Sequence, residues 1–188
     1  MKYRTIVADP PWGYEGFTPP WRSSVAPPYP LMTLGEIKAL PVQELADRDC
    51  HLYLWTVLPM VEAAYECVRE WGFKPSTLLT WCKRGPGLGG GWRGNTEHVI
   101  VARRGSAPFL SSFAGPGTWH VASRGGVHSQ KPDLFMDLIE TASPSPRLEL
   151  FARRNRFGWG VRFEAPRDVD LSFLVPAILA PDTEGEER

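Results

Sequence analysis

Apolar residues fall along this chain in short blocks, and the spacing inside the blocks switches between two periods. Tyr3-Arg4-Thr5-Ile6-Val7-Ala8, Cys50-His51-Leu52-Tyr53-Leu54-Trp55-Thr56, residues 75–83, residues 97–103 and Arg147-Leu148-Glu149-Leu150-Phe151 are apolar runs of strand length. Residues 159–163 make a sixth. Between them the period lengthens. Thr33 opens a helix with Glu36 three residues on, a capping box, and Leu34, Ile37, Leu40 and Leu45 supply its apolar face to about Ala46, with a break near Pro41. Residues 60–71 read as a second helix, Pro59 at its start and Gly72 just past its end. Residues 133–142 form a third, with Leu134, Phe135, Leu138, Ile139 and Ala142 on one face. Gly13 to Pro30 and Arg84 to Asn95 have no period and read as loops, and 104–122 is irregular. Strands alternating with helices predict a three-layer α/β domain over residues 1–165. Beyond it the pattern decays into an extension, 166–188, with an acidic, frayed end.

Composition narrows the picture. The 188 residues suffice for one domain with a full core. The formal net charge is zero, so nucleic acid would be held by local patches or with a partner, not by a large basic field. Cys50, Cys67 and Cys82 lie far apart with no C-x-x-C pair, which points to neither a zinc site nor a disulfide scaffold and fits a reducing compartment. The chain enters its first strand at once, leaving no room for a signal peptide, and no apolar run is long enough to span a membrane. A cytoplasmic location is expected. Gly89-Gly90-Gly91 is no phosphate cradle: no Lys-Ser or Lys-Thr follows and G-x-G-x-x-G is absent.

Two stretches carry chemistry. Asp9-Pro10-Pro11-Trp12 ends the first strand. The prolines cannot donate to a sheet ladder, and Asp9 is a carboxylate at the C-terminal strand edge, where open α/β sheets bind ligands. An aromatic exocyclic amine has two N–H donors and a delocalised lone pair. Asp9 and the Pro10 carbonyl can each accept one N–H, favouring the pyramidal nitrogen of a methyl-transfer transition state. Trp12 can stack on an extruded base. The plain alternative is a strand and a rigid turn. The second stretch is His128-Ser129-Gln130-Lys131-Pro132-Asp133, ahead of the third helix. A lysine beside a helix N-terminus suits a ligand carboxylate. Arg153 and Asn155, after the next strand, suit sugar hydroxyls. The alternative is solvated surface charge, which also applies to the candidate phosphate contacts Arg22, Lys83, Arg84, Arg93, Arg103, Arg104 and Arg124.

In this order the motifs resemble the MT-A70 family of S-adenosylmethionine-dependent adenine N6-methyltransferases. The stretches that match are Asp9-Pro10-Pro11-Trp12, His51 to Thr56, Trp71-Gly72-Phe73-Lys74, Leu79 to Lys83, Gly91-Trp92-Arg93 with Glu97-His98, His128 to Asp133, and Pro146 to Arg153. The resemblance covers roughly residues 3–163. It implies a Rossmann-like methyltransferase fold, a mostly parallel central sheet with helices on both faces, in permuted (β-type) motif order. It implies that Asp9, Pro10, Pro11 and Trp12 hold the adenine amine. It implies S-adenosyl-L-methionine as cofactor, held by Val7, Ala8, Asp9, His128, Ser129, Lys131, Glu149, Phe151, Arg153 and Asn155. On the substrate side it implies Trp12, Tyr14, Lys83, Arg84, Trp92, Arg93, Glu97 and His98. One departure matters: relatives continue past the Gly-Trp near position 159 to a Gly-Asn-Glu or Gly-Asn-Gln, whereas this chain reads Trp159-Gly160-Val161-Arg162-Phe163-Glu164-Ala165.

The expected function is methyl transfer to a flipped-out adenine in nucleic acid, DNA favoured over RNA, with a homo-oligomer or partner subunit compatible with it. The alternative is an inactive nucleic-acid-binding partner subunit, a role in which Asp-Pro-Pro-Trp is generally degraded. Methylation of cytosine N4 or of a protein amide ranks lower, because those sites more often carry Ser or Asn in place of Asp9.

Overall fold

A computed structural model describes residues 1–13, 30–85, 87, 92–123, 131–152 and 154–162. The element order is β1 (Tyr3–Ala8), α1 (Leu34–Lys38), α2 (Val42–Leu45), β2 (Ala46–Thr56), a 3-10 turn (Leu58–Met60), α3 (Val61–Glu70), β3 (Lys74–Lys83), β4 (Thr96–Arg104), β5 (Trp119–Ala122), α4 (Asp133–Ala142), β6 (Arg147–Leu150) and β7 (Trp159–Arg162). The seven strands form one sheet in the order β5-β3-β4-β2-β1-β6-β7. β1 pairs in parallel with β2 and β6, β6 with β7, and β3 with β5, while β4 runs antiparallel between β2 and β3. The sheet is thus mostly parallel with one reversed strand, the Rossmann-like methyltransferase architecture.

Local chemistry explains most boundaries. Thr33 accepts the Glu36 amide at 3.1 Å while Glu36 accepts the Thr33 amide at 2.7 Å, so the capping box forms as its sequence predicts. Pro41 separates α1 from α2, and Gly72, at φ 77, takes the chain out of α3 through a conformation that a side chain would oppose. Two expectations need correction. β2 begins at Ala46, not Cys50, because Tyr3 pairs with Ala46; the register then shifts and pairing resumes at Thr5 with His51, so the polar residues 47–49 form an irregularity between the two. The stretch 104–122 is not wholly irregular: its last four residues are β5, too short for periodicity to reveal and held by pairing to β3. The extension 166–188 lies outside the described residues.

Helices cover both sheet faces. Alternate side chains of a strand point to opposite faces. On one face Ile6, Ala8, Leu52, Leu54, Ile100 and Ala102 pack with Ile37 of α1 and Ala64, Cys67 and Val68 of α3. On the other Val7, Tyr53, Trp55, Trp81, Val99 and Val101 pack with Phe135, Met136 and Ile139 of α4. Beneath α4 runs a buried polar chain. His51 Nε2 faces the Ala107 carbonyl at 2.9 Å, so it carries the proton. Nδ1 then accepts from the Ser143 hydroxyl at 2.8 Å, and Ser143 accepts from Tyr53 at 2.7 Å. Every polar atom in this chain is paired. Burial holds the imidazole below its ordinary pKa and raises the Tyr53 phenol to about 12.

Candidate active site

On the α4 face, at the C-terminal edge of the parallel strands, the candidate residues gather. Asp9 follows β1 with the parity of Val7, Glu149 is the register partner of Val7 on β6, and Trp81 of β3 is the partner of Glu97 on β4. Residues far apart in sequence therefore converge. Lys131 Nζ lies 2.9 Å from Asp9 Oδ2 and 3.2 Å from Glu97 Oε2, and Lys83 pairs with the other Glu97 oxygen. The result is a charge chain, Lys83–Glu97–Lys131–Asp9, with two cations and two carboxylates. Its walls are aromatic: Lys131 lies over the Trp55 ring at 5.2 Å and Lys83 over the Trp81 ring at 4.8 Å.

Burial and pairing compete at each member. Burial alone would lower the pKa of Lys131, but Asp9 and Glu97 outweigh it and hold the ammonium above its usual range. Burial likewise pushes the Glu97 carboxyl up, and Lys131 and Lys83 more than reverse it, leaving Glu97 below its usual range. Glu149 has no such rescue. Burial, then the nearby Asp9 charge, raise it to about 7, against a weaker pull from Arg156.

The turn after β1 is fixed by backbone bonds. The Asp9 amide continues the ladder to the Leu150 carbonyl at 3.4 Å, Trp12 N–H folds back to the Pro10 carbonyl at 2.9 Å, and Met32 N–H reaches the Pro11 carbonyl at 2.8 Å. Gly13 completes the bridge, and a Cβ there would sit 2.7 Å from the Met32 carbonyl oxygen. Trp12 differs from its expectation as an open stacking face. Its ring is 7% exposed in the core and its indole N–H donates to the Trp55 carbonyl at 3.0 Å. It fixes the turn against β2, on whose Trp55 ring Lys131 rests.

The MT-A70 family model matches residues 3–161. The chain belongs to the MT-A70 family. It is 32% identical over 176 residues to the type II methyltransferase M.MunI of Mycoplasma sp, covering 84% of this chain and 75% of that protein. It is 29% identical over 161 residues to the Drosophila melanogaster N(6)-adenosine-methyltransferase MT-A70-like protein, covering 81% of this chain and 24% of that one. The Homo sapiens N(6)-adenosine-methyltransferase catalytic subunit METTL3 is 28% identical over 161 residues, covering 81% and 26%. The chain thus spans three quarters of the Mycoplasma protein but only about a quarter of the two animal proteins.

Among the MT-A70 motif residues, Asp9, Lys83, Glu97, Lys131 and Glu149 come together. Val7 and Ala8 are fully buried, so only their backbone faces the edge. Phe151 is buried and turns the chain at φ 65. Asn155 is exposed in a shallow cleft of about 450 Å³ with Asp133, Asp137, Arg154, Arg156 and Phe157. Arg84, Trp92 and Arg93 are exposed beyond β3 and before β4. His98 does not join Glu97: it points to the opposite sheet face, where Nδ1 lies 3.2 Å from Thr80 Oγ1. Tyr14, His128, Ser129 and Arg153, and most of the two long loops, lie outside the described residues. Sequence reasoning passed over Trp55 and Arg156. Arg156 donates to Glu140 at 2.5 Å and pairs with Asp133 and Asp137, fastening the loop after β6 to α4. The i, i+4, i+7 spacing of those three acids was the available signal.

Proposed function

We propose that the chain is an S-adenosyl-L-methionine-dependent adenine-N6 methyltransferase of nucleic acid, with DNA favoured over RNA. The observation that carries this reading is the convergence of Asp9, Lys131 and Glu149 on one face of the strand edge. The donor set fits the cofactor. Lys131 has three N–H donors, and among the described residues Asp9 and Glu97 take two, so the third suits the amino-acid carboxylate. Glu149, a largely buried carboxyl with no side-chain hydrogen bond among the described residues, suits ribose hydroxyls. When bound, the cofactor supplies an electrophilic sulfonium methyl.

The protein's part is positioning and electrostatics. Lys131 takes Asp9 Oδ2, which orients the carboxylate, while Oδ1 has no partner among the described residues and accepts one N–H of the target amine. The Pro10 carbonyl, with one lone pair used by Trp12 N–H, accepts the other. Holding both N–H groups withdraws the nitrogen lone pair from the ring and aims it at the methyl. As the nitrogen becomes tetrahedral it gains positive charge, which Asp9 stabilises, and one of its two protons then leaves to solvent. The indole and ring walls of Trp55 and Trp81 keep the charge chain in a low-dielectric setting, where these contacts are strengthened. The preference for DNA leans on the higher identity to the type II methyltransferase, 32% against 28% to the adenosine methyltransferase subunit.

The test is tritiated methyl transfer to matched DNA and RNA oligonucleotides, followed by nucleoside analysis. Label in N6-methyladenine of DNA is expected. Cofactor binding without transfer to any oligonucleotide overturns the enzymatic reading in favour of a partner subunit.

A further inference from the structure

The net charge of zero conceals a strong segregation. Between Trp71 and Pro132 the chain has eight Lys and Arg and a single acid, Glu97, and that acid is held by Lys83 and Lys131. This stretch builds β3, β4 and β5, the outer half of the sheet. Its edge also shows apolar surface that the fold does not explain. Trp119 and Val121 of β5 are 65% and 50% exposed, and Trp92, ahead of β4, is fully exposed. An open edge strand invites unwanted pairing and is usually kept short and polar. β5 is short, yet it presents a tryptophan.

Register gives the position of that tryptophan. Trp119 pairs with Thr80, Thr80 with His98, and His98 with Thr56, so these four side chains form one transverse row on the sheet face opposite the Lys83–Glu97–Lys131–Asp9 chain. The row ends in two hydroxyls, an imidazole and an exposed indole. His98 lies between Thr80 Oγ1 at 3.2 Å and Thr96 Oγ1 at 3.5 Å. Above the row, where β3 leaves the sheet and β4 enters it, stand Arg84 and Arg93, both exposed and without an ion pair among the described residues.

We propose that this outer sheet edge is a track for the single-stranded segment flanking the target adenine, with a base stacked on Trp119 and phosphates met by Arg84 and Arg93. The inference rests on the nucleic-acid reading above and adds where the flanking strand runs. Four strand spacings separate β5 from β1, about 19 Å across the sheet, or roughly six nucleotides at the rise of a stacked strand, which rounds the C-terminal sheet edge to reach Trp119 on the other face. Exposed guanidinium groups with no ion pair among the described residues, Arg84 lying four residues past the β3 partner of an exposed indole, match a ligand that alternates phosphate and base. A second copy of this chain does not fit: an isologous pair would set the same basic surface against itself.

Trp119→Ala, Trp119→Phe and the pair Arg84→Ala with Arg93→Ala should be compared in the full chain. Binding of fluorescent single-stranded oligonucleotides of 3 and 15 nucleotides, each with one central adenine, is read by anisotropy without cofactor. Loss of one stacked base predicts at least about a fivefold rise in Kd for the 15-mer in Trp119→Ala, partial rescue in Trp119→Phe and no change for the 3-mer. The double arginine variant should reduce the slope of log K against log salt by about 1.4. An unchanged 15-mer Kd in Trp119→Ala, with wild type binding and methylating it, overturns the track and leaves the methyltransferase reading intact. Wild type that neither binds nor methylates any oligonucleotide overturns both. A wild-type dimer dissociated by Trp119→Ala, seen by sedimentation, would make the edge a copy interface and overturn the track.

Discussion

Glu149→Gln should make the cofactor-free protein more stable and the cofactor weaker bound, and the pH dependence separates the two effects. The ordinary carboxyl value is 4.5, and in the folded protein Glu149 is raised to about 7 by burial and by Asp9. Between those values the native state holds a proton that the unfolded chain has released. Stability therefore falls as pH rises across the window, by about 1.4 kcal/mol per pH unit from this group. Above about pH 7 the folded carboxyl is ionised too, and the penalty levels off near 3 kcal/mol, an upper figure because part of the group is solvated. Glutamine mimics the protonated acid and has no such slope. Urea unfolding of both proteins from pH 4 to 9 should give a stability difference that is small at pH 4, grows in favour of the variant up to about pH 7 and is flat beyond. A difference independent of pH would refute the assignment of Glu149 as a carboxyl raised by burial and by Asp9. Calorimetry should show the opposite sign for function. Cofactor affinity of the wild type should rise through pH 7 as the acceptor ionises. It should fall about tenfold or more in the variant, the worth of a charge-assisted hydrogen bond.

Asp9→Ala should stay folded, because the residue follows β1 rather than sitting in the core. It should retain cofactor and lose about 10²–10³-fold in turnover, and a wild-type rate by single-turnover methylation would reduce Asp9-Pro10-Pro11-Trp12 to a turn. Lys131→Ala should lose about 1.5–3 kcal/mol of cofactor binding by calorimetry, because no ammonium then meets the cofactor carboxylate. Equal cofactor affinity would take Lys131 out of the site. Ser143→Ala strands the His51 acceptor and the Tyr53 donor in the core and should cost about 1–3 kcal/mol for each group by chemical denaturation; a loss below about 0.5 kcal/mol would mean that the polar chain is not closed as described.

The local sequence determined the parts whose causes are local. The capping box at Thr33 and Glu36, the stop at Gly72 and the strand run 3–8 each follow from a few neighbouring residues. The α4 stripe was legible only in part, Leu134 being exposed and Met136 buried, and the strand expected over 147–151 ends at Leu150 because Phe151 turns at φ 65. Asp9 and Lys131 were each open locally to a plain reading, a turn or a solvated charge, and only the order of the motifs along the chain, which resembles the MT-A70 family, singled them out. Tertiary pairing decided the rest. β5 has four residues and exists because β3 offers it a ladder; nothing in residues 119–122 alone would hold them extended. Trp12 became a strut because Trp55, on another strand, offered a carbonyl. Glu97 and His98 make the division plain. They are adjacent, and the two-residue period of a strand already sends them to opposite faces. Which of the two meets Lys131 was decided only when α4 packed on one side and brought Lys131 to Glu97, because that contact joins segments more than thirty residues apart and depends on sheet order, which no local pattern encodes.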